Sequence, residues 1–476
     1  MIKKTTISLS IIQMFSTLSF AILYSTIVLY ATQKLHLSEI VATSIMGSFC
    51  AFNYGLHLLG GYLGGRFISW RFLFVIGMLL QVVSCLLLSI ANLDFFYYGL
   101  ALFLAGSGLN VTCINMMVTQ LFEPHDKRRE SAFLWNYALM NVGFFIGFSV
   151  AGYFQIIQNF SLLFILASIG NALTAIITLF AWKNLKDQNT ILTSLTKKQC
   201  AKRFSYGIYY VIFLSIAMVW FIRHSEISNL LVLFVGVAMF FTIAAIAYFE
   251  KNKDARNKLF AYIIFALASL IFWTLYQLAP MALTLFAEYN VNRNYGGFLI
   301  APQWIQNINS FVLAFGGPIL GFVIQKLRKS GIQLSLSLQF SLSLLCVGTG
   351  LAILPIGIAF AAGNGLVSFS WIFWSYILQS IGELFIGPIG YAMIGQLIIS
   401  RKLQGIMMGV WMMTSGVGAI LSNYASTYAI RSSTATNPLM TNPGYSHMFS
   451  LLGITTIAAG IILFALIPLL KKLTHE

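Results

Sequence analysis

The sequence predicts an all-α integral membrane protein of fourteen transmembrane helices, grouped six, two and six. Three observations predict it. Hydrophobic residues fill 59% of the 476 positions and charged residues only 8%, where a soluble protein keeps about a quarter charged to wet its surface. The apolar residues gather into fourteen stretches of the length that spans a core of about 30 Å. The basic residues crowd into alternate gaps between those stretches.

In chain order, the first six stretches are 5–31, 42–65, 72–92, 96–122, 132–156 and 160–182. A polar segment at 183–205 carries six Lys and Arg and closes the first half. Two stretches follow, 207–222 and 229–249, then a charged connector at 250–258. The last six are 258–287, 302–325, 334–361, 369–399, 404–429 and 448–470. This divides the chain into a bundle over 1–182, a linker with an inserted pair over 183–257, and a second bundle over 258–476. Two six-helix halves resemble the layout of major-facilitator carriers, which bind substrate between halves near the midplane. Gly60, Gly61 and Gly64 in the second stretch are echoed by Gly316, Gly317 and Gly321 in the tenth. Small residues at such spacing let helix backbones approach closely in lipid.

A net charge of +16 raises the question of nucleic acid, and placement answers it. With a cytoplasmic N-terminus, only Lys34, Arg223, Arg293 and Arg431 fall outside; the other 24 of 28 basic residues face inward. That is the positive-inside pattern of a multi-pass cell-membrane protein (the inner membrane, if Gram-negative) with both termini cytoplasmic. No nucleic-acid partner is needed. The apolar run after Lys3 and Lys4 is too long for a signal-peptide core and lacks a small-residue cleavage site. Cys50, Cys85, Cys113, Cys200 and Cys346 form no CxxC or Cys/His cluster, so neither a metal nor a disulfide frame is expected. No Gly-rich phosphate loop, Ser/His/Asp set or HExxH is present, which argues against an enzyme.

An ionisable side chain inside lipid costs roughly 2.5–3.5 kcal/mol on insertion scales and is there for function by default. Glu383 is the one acid placed mid-membrane, and no Lys or Arg lies inside any stretch except Lys258 at the first position of the ninth. Tyr376, Ser380 and Gly387 share its helical face, a polar and small stripe that turns toward a cavity or another helix. His57 also lies within a span. As a candidate proton relay it competes with the commoner role of an interhelical hydrogen bond. Asn110, Asn115, Asn136, Asn141 and Asn309 line a cavity or glue helices.

After the fourth stretch the chain reads Asp126-Lys-Arg-Arg-Glu-Ser-Ala-Phe133, then Tyr137, Asn141 and Gly143. Gly382-Glu-Leu-Phe-Ile-Gly-Pro-Ile-Gly390 and Gln404-Gly-Ile-Met-Met-Gly-Val-Trp411 follow later, with Phe272-Trp-Thr-Leu-Tyr276 and Trp304-Ile-Gln306 between. These resemble the motifs of the proton-dependent oligopeptide transporter family, and the likeness runs from the first stretch to the last. Bacterial members share the six-two-six layout. The resemblance implies a secondary carrier of peptide-type solutes, a proton symporter working by alternating access, with the proton gradient in place of a cofactor. It implies a monomer whose partners are a small-molecule substrate and membrane lipids. Tyr24, Asn110, Asn141, Gln277, Tyr376, Ser380, Glu383 and Trp411 fall at candidate binding positions. Arg66, Arg71, Asp126, Arg128 and Arg129 fall in the cytoplasmic loops that gate such carriers.

The departures are as informative. Where the family carries ExxERFxYYGxR in its first helix, this chain has Gln13, Ser16 and Thr17 at the ExxER positions and Tyr24 at the final Arg. Val111 stands where a Lys is usual, Gln277 where a Glu is usual and Gly65 where an Asp is usual. Losing both partners of a buried ion pair can be nearly neutral, whereas losing one strands the other. The paired losses therefore describe a carrier rebuilt for other chemistry. Two further readings stay open. One is a carrier for a polyamine, amino acid or metal-chelating siderophore; the other is a membrane sensor that does not transport.

Overall fold

The computed structural model describes residues 4–123, 126, 128–188, 190–331, 334–398, 401–431 and 437–474. Among them the chain is helical almost throughout. Before the linker run α1 (Lys4–Gln33), α2 (Glu39–Leu63), α3 (Trp70–Ser89), α4 (Leu93–Gln120), α5 (Arg128–Ile156) and α6 (Phe160–Phe180). The inserted pair is α7 (Lys197–Arg223) and α8 (Ser225–Phe249). After it come α9 (Lys253–Tyr276), α10 (Ala282–Tyr289), α11 (Pro302–Lys329), α12 (Leu336–Ala359), α13 (Phe369–Leu397), α14 (Arg401–Arg431), α15 (Pro438–Ala465) and α16 (Ile467–Thr474). Setting aside the short α10 and α16, fourteen helices are 20 to 31 residues long. This is the all-α, fourteen-span architecture expected. Eleven of them are apolar enough by hydropathy alone to cross a membrane.

Local chemistry sets several helix starts. Asn92, Asn159, Asn252 and Asn437 each accept from backbone N–H groups in the first turn of α4, α6, α9 and α15. Thr196 and Gln199 form a reciprocal capping box that starts α7 ten residues before the apolar stretch begins. These side chains satisfy donors that a helix cannot satisfy itself.

The chain divides into two compact units, Met1–Leu37 with Ser48–Ser228, and Ser38–Gly47 with Asn229–Glu476. In the first, α1 packs against α5 and α6, and α3 against α4 and α6. Glycine sets the approach of α5 to α1: a Cβ at Gly143 would run into the Met14 carbonyl, and one at Gly147 into the Ala21 methyl. Tyr30 is buried among Phe96, Phe160 and Phe164, its hydroxyl donating to the Leu88 carbonyl at 2.9 Å. In the second unit α12 packs on α13 and α15, α9 on α14, and α11 on α13. Tyr262 donates from α9 to the Met407 carbonyl of α14 at 2.7 Å.

The glycine echo is only half structural. Gly60 lies against the Gly108 carbonyl and Leu109 of α4, a close backbone approach. Gly317 and Gly321 face open space instead, and only Gly316 touches a neighbour, Leu384. Composition alone could not distinguish a packed glycine face from an open one.

The stretch read as a single helix over 258–287 is broken. Between α9 and α10 the chain makes turn-type bonds, Leu278 N–H to Leu275, Ala279 to Tyr276 and Met281 to Leu278, and Pro280 has no N–H to give. Beyond α10 the backbone is fastened. Val291 and Asn292 pair in parallel with Val367 and Ser368, and Asn290 Nδ2 donates to Thr441 Oγ1 at 2.6 Å and Asn442 Oδ1 at 2.9 Å. A small hairpin pairs Asn294–Tyr295 with Phe298–Leu299. Its turn is Gly296-Gly297, with φ of +59° and +84°, angles that glycine adopts without strain.

Candidate substrate and proton site

Three helices of the second unit meet at Glu383. Asn309 of α11 donates from Nδ2 to Glu383 Oε2 at 2.7 Å and lies 3.1 Å from Ser380 Oγ. The Tyr276 hydroxyl, at the last residue of α9, is a second donor to the carboxylate. One turn back on α13, Ser380 donates to the Tyr376 carbonyl at 2.6 Å. Ser380 and Tyr376 are buried, while Glu383, Asn309 and Tyr276 stay partly accessible. On this face of α13, Glu383 meets two neutral donors. None of the four ion pairs among the described residues involves Glu383. A carboxylate with neutral partners on one side is free to take a proton or a cationic group on the other.

The other candidates in this unit serve differently. Gln277 is fully buried at the C-cap of α9, beside Tyr276. Trp411 lies flat in the core of α14, against Phe340 at 6.1 Å and over Gly390, where a Cβ would strike its ring. In the sequence Asn309 is one of five equivalent amides, and Tyr276 carries only a motif likeness. Their contact with Glu383 crosses between helices, which periodicity along one helix does not report.

In the first unit, Asn110 is buried where α4 meets α3, its amide pressed on Gly77. Asn141 is buried and donates to its own helix, at the Tyr137 carbonyl, 2.9 Å away. Both polar atoms of the Asn110 amide are buried without a described hydrogen bond. Tyr24 is buried against Phe20 at 5.7 Å, and Gln13 donates to Thr17 at 2.9 Å. Val111 is 40% exposed. His57 packs edge-on to Tyr54 at 6.1 Å, its carbonyl accepts from Thr112, and its Nε2 has no described partner.

At the cytoplasmic end the linker is strapped to the α2–α3 turn. Asp187 accepts from the Trp70 N–H at 3.1 Å, and Leu192 N–H donates to the Gly65 carbonyl at 3.3 Å. Arg71 donates to the Trp182 carbonyl at 2.5 Å with its guanidinium 4.5 Å over the Trp182 ring. Burial pushes the Asp187 carboxyl up to about 6, against the pull of the Trp70 N–H and of Arg71. Arg66 is exposed. Asp126 and Arg128 pair with each other at 2.7 Å, an exposed contact that holds the carboxylate interaction of Arg128 within its own loop. The Arg129 side chain lies outside the described residues.

A profile described as the POT family matches residues 67–443. The chain belongs to the POT family. It is therefore a secondary transporter and not an enzyme. It is similar to dipeptide and tripeptide permease A of Cronobacter turicensis, 28% identical over 98% of this chain and 92% of the relative. The permease A of Escherichia coli K12 is 27% identical over 94% and 88%. Among solved structures, a POT peptide transporter in complex with sulfate superposes with a TM-score of 0.86 at 22% identity, covering 99% of this chain and 96% of that one. A POT family transporter in complex with 5-aminolevulinic acid gives 0.82 at 22%, covering 98% and 96%. A tetrameric one gives 0.85 at 21%, covering 98% and 99%. The fourteen-helix architecture is thus that of the major-facilitator carriers of this family. The chain is a multi-pass protein of the cell membrane whose partners are a small-molecule solute and lipid. α7 and α8 turn Phe213 and Phe241 outward to that lipid, each more than two-thirds exposed. Among the described residues no group of three or more His, Cys, Asp or Glu is gathered to hold a metal.

Proposed function

We propose that this chain is a proton symporter of peptide-type solutes, di- or tripeptides or amino-acid derivatives, working by alternating access as a monomer. The observation that carries the reading is Glu383, held by Asn309 and Tyr276 without a cation. Its carboxylate carries the proton that crosses with the solute, taking it up on one side of the membrane and releasing it on the other once per cycle. Ser380 and Tyr376 fix its height on α13, and Gln277 and Trp411 brace α9 and α14 around it. In the first unit, Tyr24, Asn110 and Asn141 are further candidate binding positions. His57 is the second candidate for a proton. Arg66, Arg71, Asp126, Arg128 and Arg129 form the cytoplasmic loops that move with gating.

A second reading has its own support. No Lys or Arg lies inside the apolar stretches beyond Lys258 at one end, so a solute carboxylate near the midplane meets no charge partner in them, and desolvating one unpaired is costly. That favours a cationic solute lacking a carboxylate, such as a polyamine. Proteoliposomes loaded with purified protein decide between them. Under an imposed proton gradient, accumulation of labelled dialanine supports the first reading and accumulation of spermidine alone supports the second. Binding of either without uptake would make the protein a sensor. Glu383→Gln keeps the shape and the acceptor oxygen, so it is expected to fold and to lose gradient-driven accumulation. Full accumulation in that variant sinks the proposed role of Glu383.

A further inference from the structure

One corner of the first unit carries three cations that form no ion pair among the described residues. Arg203 Nη1, near the start of α7, donates to the Arg66 carbonyl in the α2–α3 turn at 3.0 Å. This bond sets the Arg203 guanidinium against the backbone of Arg66, with Lys202 the preceding residue on α7. The Arg66 guanidinium stands 5.2 Å over the Tyr62 ring, and Lys202 Nζ lies 5.9 Å from the Tyr206 ring. The Arg203 guanidinium is 6.0 Å over Phe67, whose ring meets Tyr210 edge-on at 5.9 Å. None of the ion pairs among the described residues includes these three cations. The one acid of the preceding linker, Asp187, is spent on the Trp70 N–H.

Basic residues on adjoining segments, outside any of these ion pairs, leave positive charge that an anion can neutralise. The rings beside them say where that anion comes from. Tyr62, Tyr206 and Tyr210 are each about half exposed, on helices whose outward faces meet lipid. Tyrosine beside basic residues at the end of a membrane helix marks the depth of the headgroups, and basic clusters there attract anionic lipid. A soluble anion would need the cations but would gain nothing from three outward-facing tyrosines.

We infer that Arg66, Lys202 and Arg203, flanked by Tyr62, Tyr206 and Tyr210, form a binding site for the phosphate headgroup of an anionic phospholipid in the cytoplasmic leaflet. The guanidinium and ammonium groups hold the phosphate, and the rings cover the first carbons of the acyl chains.

The test is a titration of the purified full chain in neutral detergent with phosphatidylglycerol or phosphatidylcholine, read by native mass spectrometry. Phosphatidylglycerol is expected to bind in preference, and the preference to fall about fivefold for each cation removed. Arg66→Gln with Lys202→Gln leaves the Arg203 bond to the Arg66 backbone intact, so this pair isolates charge from folding. Lys471→Gln with Lys472→Gln removes two equally exposed cations from the second unit and is expected to leave the preference unchanged. Equal losses in both pairs would overturn the site in favour of general surface charge. Full displacement by millimolar glycerol phosphate would overturn the lipid assignment in favour of a soluble anion.

Discussion

Asp187→Asn removes a charge from the strap that fastens the linker to the α2–α3 turn, while leaving an oxygen for the Trp70 N–H. Burial holds the carboxyl near 6 in the folded protein, against an ordinary value of 3.8. The folded chain therefore binds the extra proton between those values, so stability falls as pH rises through 6 and is level above it. A displacement from 3.8 to about 6 corresponds to about 3 kcal/mol at its limit. Because Asp187 retains some contact with solvent, roughly 1–2 kcal/mol is the expected share. At pH 8 the Asn variant recovers that amount, a rise of roughly 2–8 °C in the unfolding midpoint on the scale of a domain this size. At pH 4 both forms are neutral and the midpoints should nearly coincide. Thermal scans in detergent at the two pH values, compared as variant minus wild type, make the measurement. A lower midpoint for the variant at pH 8 would refute the reasoning, because it would mean that Arg71 attracts the carboxylate more strongly than burial penalises it.

Glu288 and Arg293 form a mostly buried pair, 2.9 Å apart and 13% and 11% exposed. Arg293→Gln strands the acid and is expected to cost about 3 kcal/mol, whereas the double change with Glu288→Gln costs clearly less; midpoints of the three variants check the ordering. His57→Asn should keep gradient-driven accumulation if Glu383 alone carries the proton, and loss of accumulation in liposomes would transfer the role to His57. Gly64→Ala drives a methyl into the Trp70 ring, so a loss of several kcal/mol is expected, typical of overpacking against a rigid ring. Gly317→Ala meets open space and should leave the same melting curve in place.

Depth in the membrane is written into composition, which is why the helices and the single embedded acid could be read without coordinates. Adjacency is not. Asn110, Asn141 and Asn309 are chemically identical amides in apolar helices, yet one presses on Gly77, one bonds within its own helix and one holds Glu383. Periodicity placed Tyr376 and Ser380 on the face of Glu383 because those residues share one helix. Tyr276 escaped it because its helix stops there, at a break hidden inside a continuous apolar run. Only Pro280 hinted at that break. The strap on Asp187 was equally invisible, since the carboxylate reaches back 117 residues to Trp70.

The break between α9 and α10 also sets a clock. Its bonds span three residues rather than four, a tighter ring with poorer alignment. The amides of Leu278, Ala279 and Met281 should therefore be among the earliest of the second unit to exchange with deuterium. Their neighbours on the far side are stapled through Asn290 and Val291 and should exchange late. Tyr276 sits at the edge of the fast segment, so each local opening there loosens one of the two donors to Glu383. Deuterium uptake at 278–281, followed with and without solute, would then report on the carboxylate itself, and occupation of the site should slow it.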